Sequence, residues 1–344
     1  MRKDRNLKIV QNFKWFALVS LVVILVGVVL MCTVGLNIGI DFTGGAKVEI
    51  ELVGEEFAKA ETQKDFEDTF VKKIEDQGFN VVDRMQVSIL DGGIATYELR
   101  LEYEYNGKVV KSEDEQEAFK VALNGIDEDA TQNGLRGFLE EEIQSYLGED
   151  SNAYTEDCVR VYLVGATASA SLIKSAIWAI IAAIAVILVY IIIRFTLSSG
   201  IAAVIALAHD VLVMIAITAM CQISVNSTFI AAAITIIGYS INATIVIFDK
   251  IRECNKSTAF VGKTDEEIAN YAIKHSMVKI LLSTITTLIM VVALVIVSVS
   301  AIREFILPII FGLIAGTYSS ICLSPSVWVK LRKIGAKIQK SKKA

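Results

Sequence analysis

The chain has 344 residues, of which 54% are hydrophobic and 21% charged, with a mean hydropathy of +0.55; soluble domains carry about 45–50% apolar and about 25% charged residues. Charge is unevenly placed: residues 37–171 hold 30 Asp and Glu against 12 Lys and Arg, and the rest of the chain is net +13. This balance argues against a single soluble core, a disordered chain or a nucleic-acid binder, and for one acidic block set between apolar segments with basic flanks.

The first apolar segment, Trp15–Gly35, follows Arg2, Lys3, Arg5, Lys8 and Lys14. It meets the requirement of about 20 apolar residues for a membrane crossing. It is longer than the apolar core of a signal peptide, and no A-x-A site follows it, so a retained anchor is expected.

The acidic block, 36–171, is long enough for one domain on the outer side of the membrane. Ala46–Val53 alternates Val48, Ile50 and Leu52 with charged residues, the pattern of a half-buried strand. Phe57–Asp76 repeats Phe66, Phe70 and Ile74 at helical spacing and stops before Gly78. Val81–Leu90 and Ile94–Glu104 read as strands joined at Asp91-Gly92-Gly93. Helices are expected at about Ser112–Leu123 and Leu135–Leu147, and a last strand at Cys158–Val164. The order β-α-β-β-α-β with an extra helix predicts an α+β domain of the ferredoxin-like split type. Its acidic surface is either a solvated face or one that contacts unfolded chains or a partner.

Five more apolar segments follow: Leu172–Ile193, Gly200–Cys221, Thr228–Phe248, Val278–Ser298 and Phe305–Val329. The fold expected is therefore a bundle of six transmembrane helices with one extracytoplasmic domain. Bases gather before the first span, in a loop at about 249–277, and in the tail 330–344, while Gln222–Ser227 carries no charge. The positive-inside rule then places both termini in the cytoplasm.

Few ionisable residues lie inside the spans. Asp210 is about ten residues into span three, or ~15 Å along the helix, at a depth where a carboxylate costs ~2.5–3.5 kcal/mol to insert. Such residues are functional candidates, and Asp210 with the preceding His209 is a candidate proton relay. Neighbouring residues on a helix point about 100° apart, so the two are not expected to face one narrow path. Span four carries Thr235, Tyr239 and Asn242 on one face, flanked by Ser240 and Thr244; span five carries Lys279, Ser283, Thr286 and Thr287. Two polar stripes of this kind form either a hydrated seam or an interhelical hydrogen-bond network. Gly312-x-x-x-Gly316 permits close helix packing.

Other motifs carry little. Val261-Gly262-Lys263-Thr264 looks like the end of a P-loop, but Ser257 stands where the first glycine is required, so no nucleotide is expected. The five cysteines are widely spaced without C-x-x-C, and there are two histidines, so neither a metal site nor a cofactor is expected. No enzyme activity is indicated.

Four stretches carry a resemblance to a known family. They are Gly39-Ile40-Asp41-Phe42-Thr43-Gly44-Gly45, Ala208-His209-Asp210-Val211, Ile237-Gly238-Tyr239-Ser240-Ile241-Asn242 running on to Phe248-Asp249-Lys250-Ile251-Arg252-Glu253, and Gly316-Thr317-Tyr318-Ser319-Ser320. In this order, with six spans and one outer domain, the chain resembles the SecF family of the bacterial Sec protein-export machinery, within the RND superfamily. The resemblance implies a partner, SecD, with which it forms one unit in the cytoplasmic membrane. It also implies work beside the SecYEG channel on a translocating unfolded polypeptide, driven by the proton gradient across the lipid bilayer.

The chain departs from the family at two positions. An intramembrane Asp that the family usually carries is replaced by Ala243, and a common Arg facing it is replaced by Lys279. Without the acid, the bidentate geometry of Arg loses its partner. Coupling then either runs through Asp210 and SecD, or is lost here, leaving a structural scaffold of the translocon. An RND-type half exporting a small molecule or lipid is the remaining alternative.

Overall fold

The computed structural model describes residues 8–82, 85–90, 93–110, 113–125, 134–147, 158–297 and 300–343. It divides into two compact units, one of Met1–Asn37 with Ala176–Ala344 and one of Ile38–Ser175. In chain order the elements are α1 (Phe13–Thr33), α2 (Ile40–Thr43), β1 (Gly45–Val53), α3 (Ala60–Asp76), β2 (Phe79–Val81), β3 (Gln86–Leu90), β4 (Ile94–Tyr105) and β5 (Lys108–Val109). There follow α4 (Glu113–Asn124), α5 (Leu135–Leu147), β6 (Val159–Val164), α6 (Ala166–Arg194), α7 (Leu197–Met220), α8 (Ser227–Lys256), α9 (Asp265–Val297), α10 (Ser300–Tyr318) and α11 (Ser324–Lys343).

In the second unit the strands form one antiparallel sheet in the order β2-β4-β1-β6, with β3 and β5 also on β4. Val48, Ile50 and Leu52 of β1 are fully buried, as their alternation predicts. They meet Phe66, Phe70 and Ile74 of α3 and Leu139 and Ile143 of α5 in one core. Each such side chain contributes roughly 1.5–3 kcal/mol by leaving water. Intervening charges pair at the surface, as in Arg160–Glu51 at 3.4 Å.

Three differences from the sequence reading have local causes. A 3-10 turn at Glu55–Ala58 takes up Phe57, so α3 begins later than its periodicity suggests. The strand expected at Val81–Leu90 is two short strands on the same partner, with the register shifting between Phe79 and Val81. β5 was not expected; Asn106 and Gly107 both have positive φ, 52° and 73°, and close a two-residue hairpin from Tyr105 to Lys108. The residues Asp91, Gly92 and Ser112 lie outside those described.

Among the described residues six helices are long and apolar enough to cross a membrane: Phe13–Thr33, Ala168–Arg194, Leu197–Met220, Ser227–Lys256, Asp265–Val297 and Ile302–Ile338. The last spans α10, a π-helical turn at Ser319–Leu323, and α11. These helices run beyond the apolar stretches. α8 and α9 take up most of the loop expected at 249–277, and α11 takes up the basic tail. Apolar content marks where lipid is met, whereas the backbone keeps its own hydrogen bonds past that point. Arg332–Asp265, at 3.4 Å, and Lys333–Glu266 fasten α11 to the start of α9.

Small residues set the packing. A Cβ on Gly27 of α1 would lie 2.3 Å from Cβ of Ala216 on α7, and one on Gly312 of α10 would lie 2.5 Å from Ile236 on α8. Such contacts need bare backbone, as in membrane helix pairs generally. α1 and α6 bury little, and Trp15, Val186 and Ile193 are largely exposed, a surface suited to hydrocarbon.

Candidate functional site

Asp210 on α7 is 1% exposed, in the middle of an apolar helix. Hydroxyls from two other elements satisfy it. Ser240 Oγ of α8 donates to Oδ2 at 2.5 Å, and Ser319 Oγ of the π turn donates to the same oxygen at 2.9 Å. His209 Nδ1 lies 2.9 Å from Oδ1. A carboxylate taken out of water needs such donors, because an unmet one costs several kcal/mol.

The His209 contact corrects the expectation that adjacent residues cannot share a path. The backbone directions diverge, but the imidazole bends back far enough to reach the carboxylate. The ring stacks on Tyr318 with centroids 6.2 Å apart, and Tyr318 OH donates to the carbonyl of Phe16 on α1 at 2.7 Å. His209 Nε2 is buried with no hydrogen-bond partner among the described residues.

The π turn explains how two successive serines enter the network. Ser319 faces Asp210, while Ser320 Oγ lies 2.9 Å from Thr244 Oγ1 and donates to the carbonyl of Ser240 at 3.4 Å. A π turn shifts the register of the helix beyond it and recurs at functional sites. Gly316 brings this helix against α8, since a Cβ there would lie 2.9 Å from Cβ of Ser240. Tyr318, Ser319 and Ser320 lie in the fourth stretch that carries the family resemblance, but were not among the candidate site residues. Their signal was a polar run, Thr317 to Ser320, inside an apolar span.

The expected polar seam divides in two. Ser240 and Thr244 are buried and turn toward Asp210 and Ser320, away from α9. Tyr239 faces α9, where its OH lies 3.4 Å from Ser283 Oγ and donates to Thr287 Oγ1 at 3.2 Å. One helix thus carries two polar faces, because Tyr239 and Ser240 are neighbours in sequence. Thr235 and Thr286 donate to their own helices, at Ala231 and Ser283. Asn242 and Lys279 are exposed on these helices.

Ala243 is buried and lines a cavity of about 40 Å³ together with Asn242, Lys279 and Thr284. The two departures from the family pattern therefore stand on one cavity. Thr264 and Glu267, beside the P-loop-like residues, form a capping box on α9: Thr264 N–H donates to Glu267 Oε2 at 2.8 Å, and Glu267 N–H donates to Thr264 Oγ1 at 3.3 Å.

The motif Asp41 to Gly45 belongs to the second unit. Ile40–Thr43 is one helical turn; Gly44 and Gly45 have φ of 73° and 121°, open to glycine, and lead into β1. Ser169 Oγ donates to the carbonyl of Asp41, and Thr43 Oγ1 donates to the carbonyl of Gly44 at 3.0 Å.

A model of the C-terminal region of the protein export membrane proteins SecD and SecF matches residues 147–334, more than half of the chain. The chain belongs to the SecD/SecF family. Within it, the protein translocase subunit SecF of Cereibacter sphaeroides is 29% identical over 324 residues, covering 92% of this chain and 88% of that one. The protein translocase subunit SecDF of Bacillus subtilis is 27% identical over 317 residues, covering 92% of this chain and 37% of that one. A crystal structure of SecDF from Thermus thermophilus, described as a translocon-associated membrane protein, superposes with a TM-score of 0.69 at 23% identity. That match covers 96% of this chain and 39% of the SecDF chain, so the family's fold extends over nearly all of this sequence.

Proposed function

We propose that this chain is an accessory subunit of the Sec protein-export machinery in the bacterial cytoplasmic membrane and works as one half of a unit with SecD. Family membership supports the role. The SecDF relatives support the pairing, because this chain spans about two-fifths of their length. On this reading both termini are cytoplasmic, the second unit is an extracytoplasmic ferredoxin-like domain, and it acts on an unfolded polypeptide leaving SecYEG. The antiparallel order β2-β4-β1-β6 is the one a split β-α-β-β-α-β repeat gives. Asn242 is exposed on an apolar helix, and lipid offers its amide no partner. It suits a face covered by SecD.

One observation carries the mechanism: a carboxylate in the apolar interior is tied to two other elements by hydroxyl donors and to His209 on its own helix. Protonating Asp210 would weaken these bonds together, so proton passage would alter how α7, α8 and the π turn are joined. His209, with Nδ1 on the carboxylate and Nε2 without a partner among the described residues, is placed to pass the proton. Ala243 favours a second reading, a scaffold without coupling, because alanine cannot titrate.

The test is precursor accumulation in cells depleted of this chain and resupplied with wild type or Asp210→Asn, at equal expression and equal SecD pairing. Clearance by wild type alone supports coupling at Asp210. Equal clearance supports the scaffold. Failure of wild type to clear precursor overturns the export role.

A further inference from the structure

We propose that a cavity at the basic end of the first unit binds the phosphate of an anionic phospholipid headgroup. The cavity, about 460 Å³, opens between α6, α8 and α9. Arg194, Lys250, His275 and Lys279 stand on its wall with two acids, Asp249 and Glu253. Both acids are engaged. Asp249 takes Arg194 at 3.2 Å and Arg252 at 3.3 Å, and Glu253 takes Lys250 at 2.8 Å. Lys279 has no ion pair or hydrogen bond among the described residues. His275 stands one turn before it on the same face of α9, its ring stacked on Tyr271. The cavity therefore has a cation in excess.

The surroundings point to a lipid. Val278 and Leu282 beside Lys279 are 62% and 58% exposed, and Val189 and Ile193 on α6 are 57% and 80% exposed. Acyl chains can lie along these surfaces while a headgroup enters the cavity. Lys279 follows the first residue of the apolar stretch that opens at Val278, which puts its stem at headgroup depth. Basic pockets between membrane helices bind anionic headgroups for this reason. The smaller cavity beside Ala243 shares Lys279 with this one and offers it no carboxylate. The site is independent of which side of the membrane this end faces.

The experiment uses the full chain in neutral detergent, given phosphatidylglycerol, phosphatidylcholine or inorganic phosphate, with bound species counted by native mass spectrometry. Phosphatidylglycerol should be retained over phosphatidylcholine. Lys279→Gln should cut that preference about fivefold, the effect of roughly one basic residue near anionic lipid. Lys279→Arg should keep it, which separates lost charge from a damaged fold, and Lys263→Gln in the exposed loop should change nothing. Equal retention of both lipids, or an unchanged preference in Lys279→Gln, overturns the proposal; the latter would leave Lys279 to a carboxylate of a partner helix. Binding of inorganic phosphate without retained lipid would assign the cavity to a soluble anion and also overturn it.

Discussion

Ser319 Oγ donates a hydrogen bond to Asp210 Oδ2 across 2.9 Å, although 109 positions separate the two residues. The bond ties the π turn between α10 and α11 to the middle of α7. Ser240 shares the same oxygen, so the carboxylate joins three elements. Removing both donors leaves Asp210 buried and under-solvated. Ser240→Ala with Ser319→Ala should lower stability by about 2–6 kcal/mol, taking about 1–3 kcal/mol for each lost donor. Thermal unfolding of the full chain in detergent checks this. Adding Asp210→Asn to the pair should recover part of the loss, because a neutral amide demands less from its surroundings.

Gly316 is the residue that allows this approach. A Cβ there would meet Ser240 at 2.9 Å on Cβ and 3.0 Å on Oγ. Gly316→Ala should push α10 from α8, lengthen the Ser240–Asp210 bond and cost about 1–3 kcal/mol, as overpacking does. Gly335 has open space around it, so Gly335→Ala should leave the melting temperature unchanged or slightly raised. Equal effects at the two positions would contradict this account.

Ala243 and Lys279 line one cavity, so restoring the acid is a direct test of coupling between them. Ala243→Asp should be tolerated when Lys279 is present and should cost at least about 1 kcal/mol more when Lys279 is Met, within the range of contacting pairs. A double-mutant cycle on thermal unfolding gives the number. The family resemblance adds that proton flux in reconstituted vesicles should respond to Ala243→Asp only when Lys279→Arg accompanies it. Identical flux in the single and double variants would unlink the two positions.

The second unit should lose stability at high pH through two tyrosines. The bond from Tyr146 to Asp65 lifts the Tyr146 phenol from 10.0 to about 12, with burial and the Asp65 charge adding to it. Burial lifts Tyr97 to about 12, with a smaller push from Tyr146. Both folded-state values lie above the unfolded one, so their contribution is complete below pH 10.0 and is lost as pH rises toward 12. Near-ultraviolet circular dichroism of this unit should fall across that interval. Tyr146→Phe should make the fall shallower; an unchanged curve would show that Tyr146 does not set it.

The proposed orientation is tested by single cysteines at Lys108, on exposed β5, and at Lys263, in the loop before α9, in a chain without other cysteines. A membrane-impermeant maleimide added to intact cells should label position 108 and spare position 263. The reverse pattern would invert the topology.

Much of the architecture was legible in the residues. Stretches of about twenty apolar residues announced six helices because lipid supplies no hydrogen bonds and the chain must satisfy its own. Val48, Ile50 and Leu52 announced one strand, and Phe66, Phe70 and Ile74 one helix, because a period of two or of about 3.6 places them on a single buried face. Asp210 stood out for the cost of placing a carboxylate in an apolar helix. These are local properties, fixed by composition and spacing.

What only the tertiary structure decided was which groups meet. Tyr239 and Ser240 are adjacent in sequence, yet one faces Thr287 and the other Asp210, because two different helices pack on different faces of α8. Spacing along one helix cannot reveal which neighbour lies on each side. The π turn is equally silent in the sequence: it changes the register of Ser319 and Ser320 by an amount that packing against α7 and α8 selects. Ala243 and Lys279 read as two separate substitutions until one cavity joins them. Sequence determined most of the elements and the unusual residue among them, and helix packing, including the close contact allowed by Gly316, determined its partners, since hydrogen bonds need distances that only packed helices set.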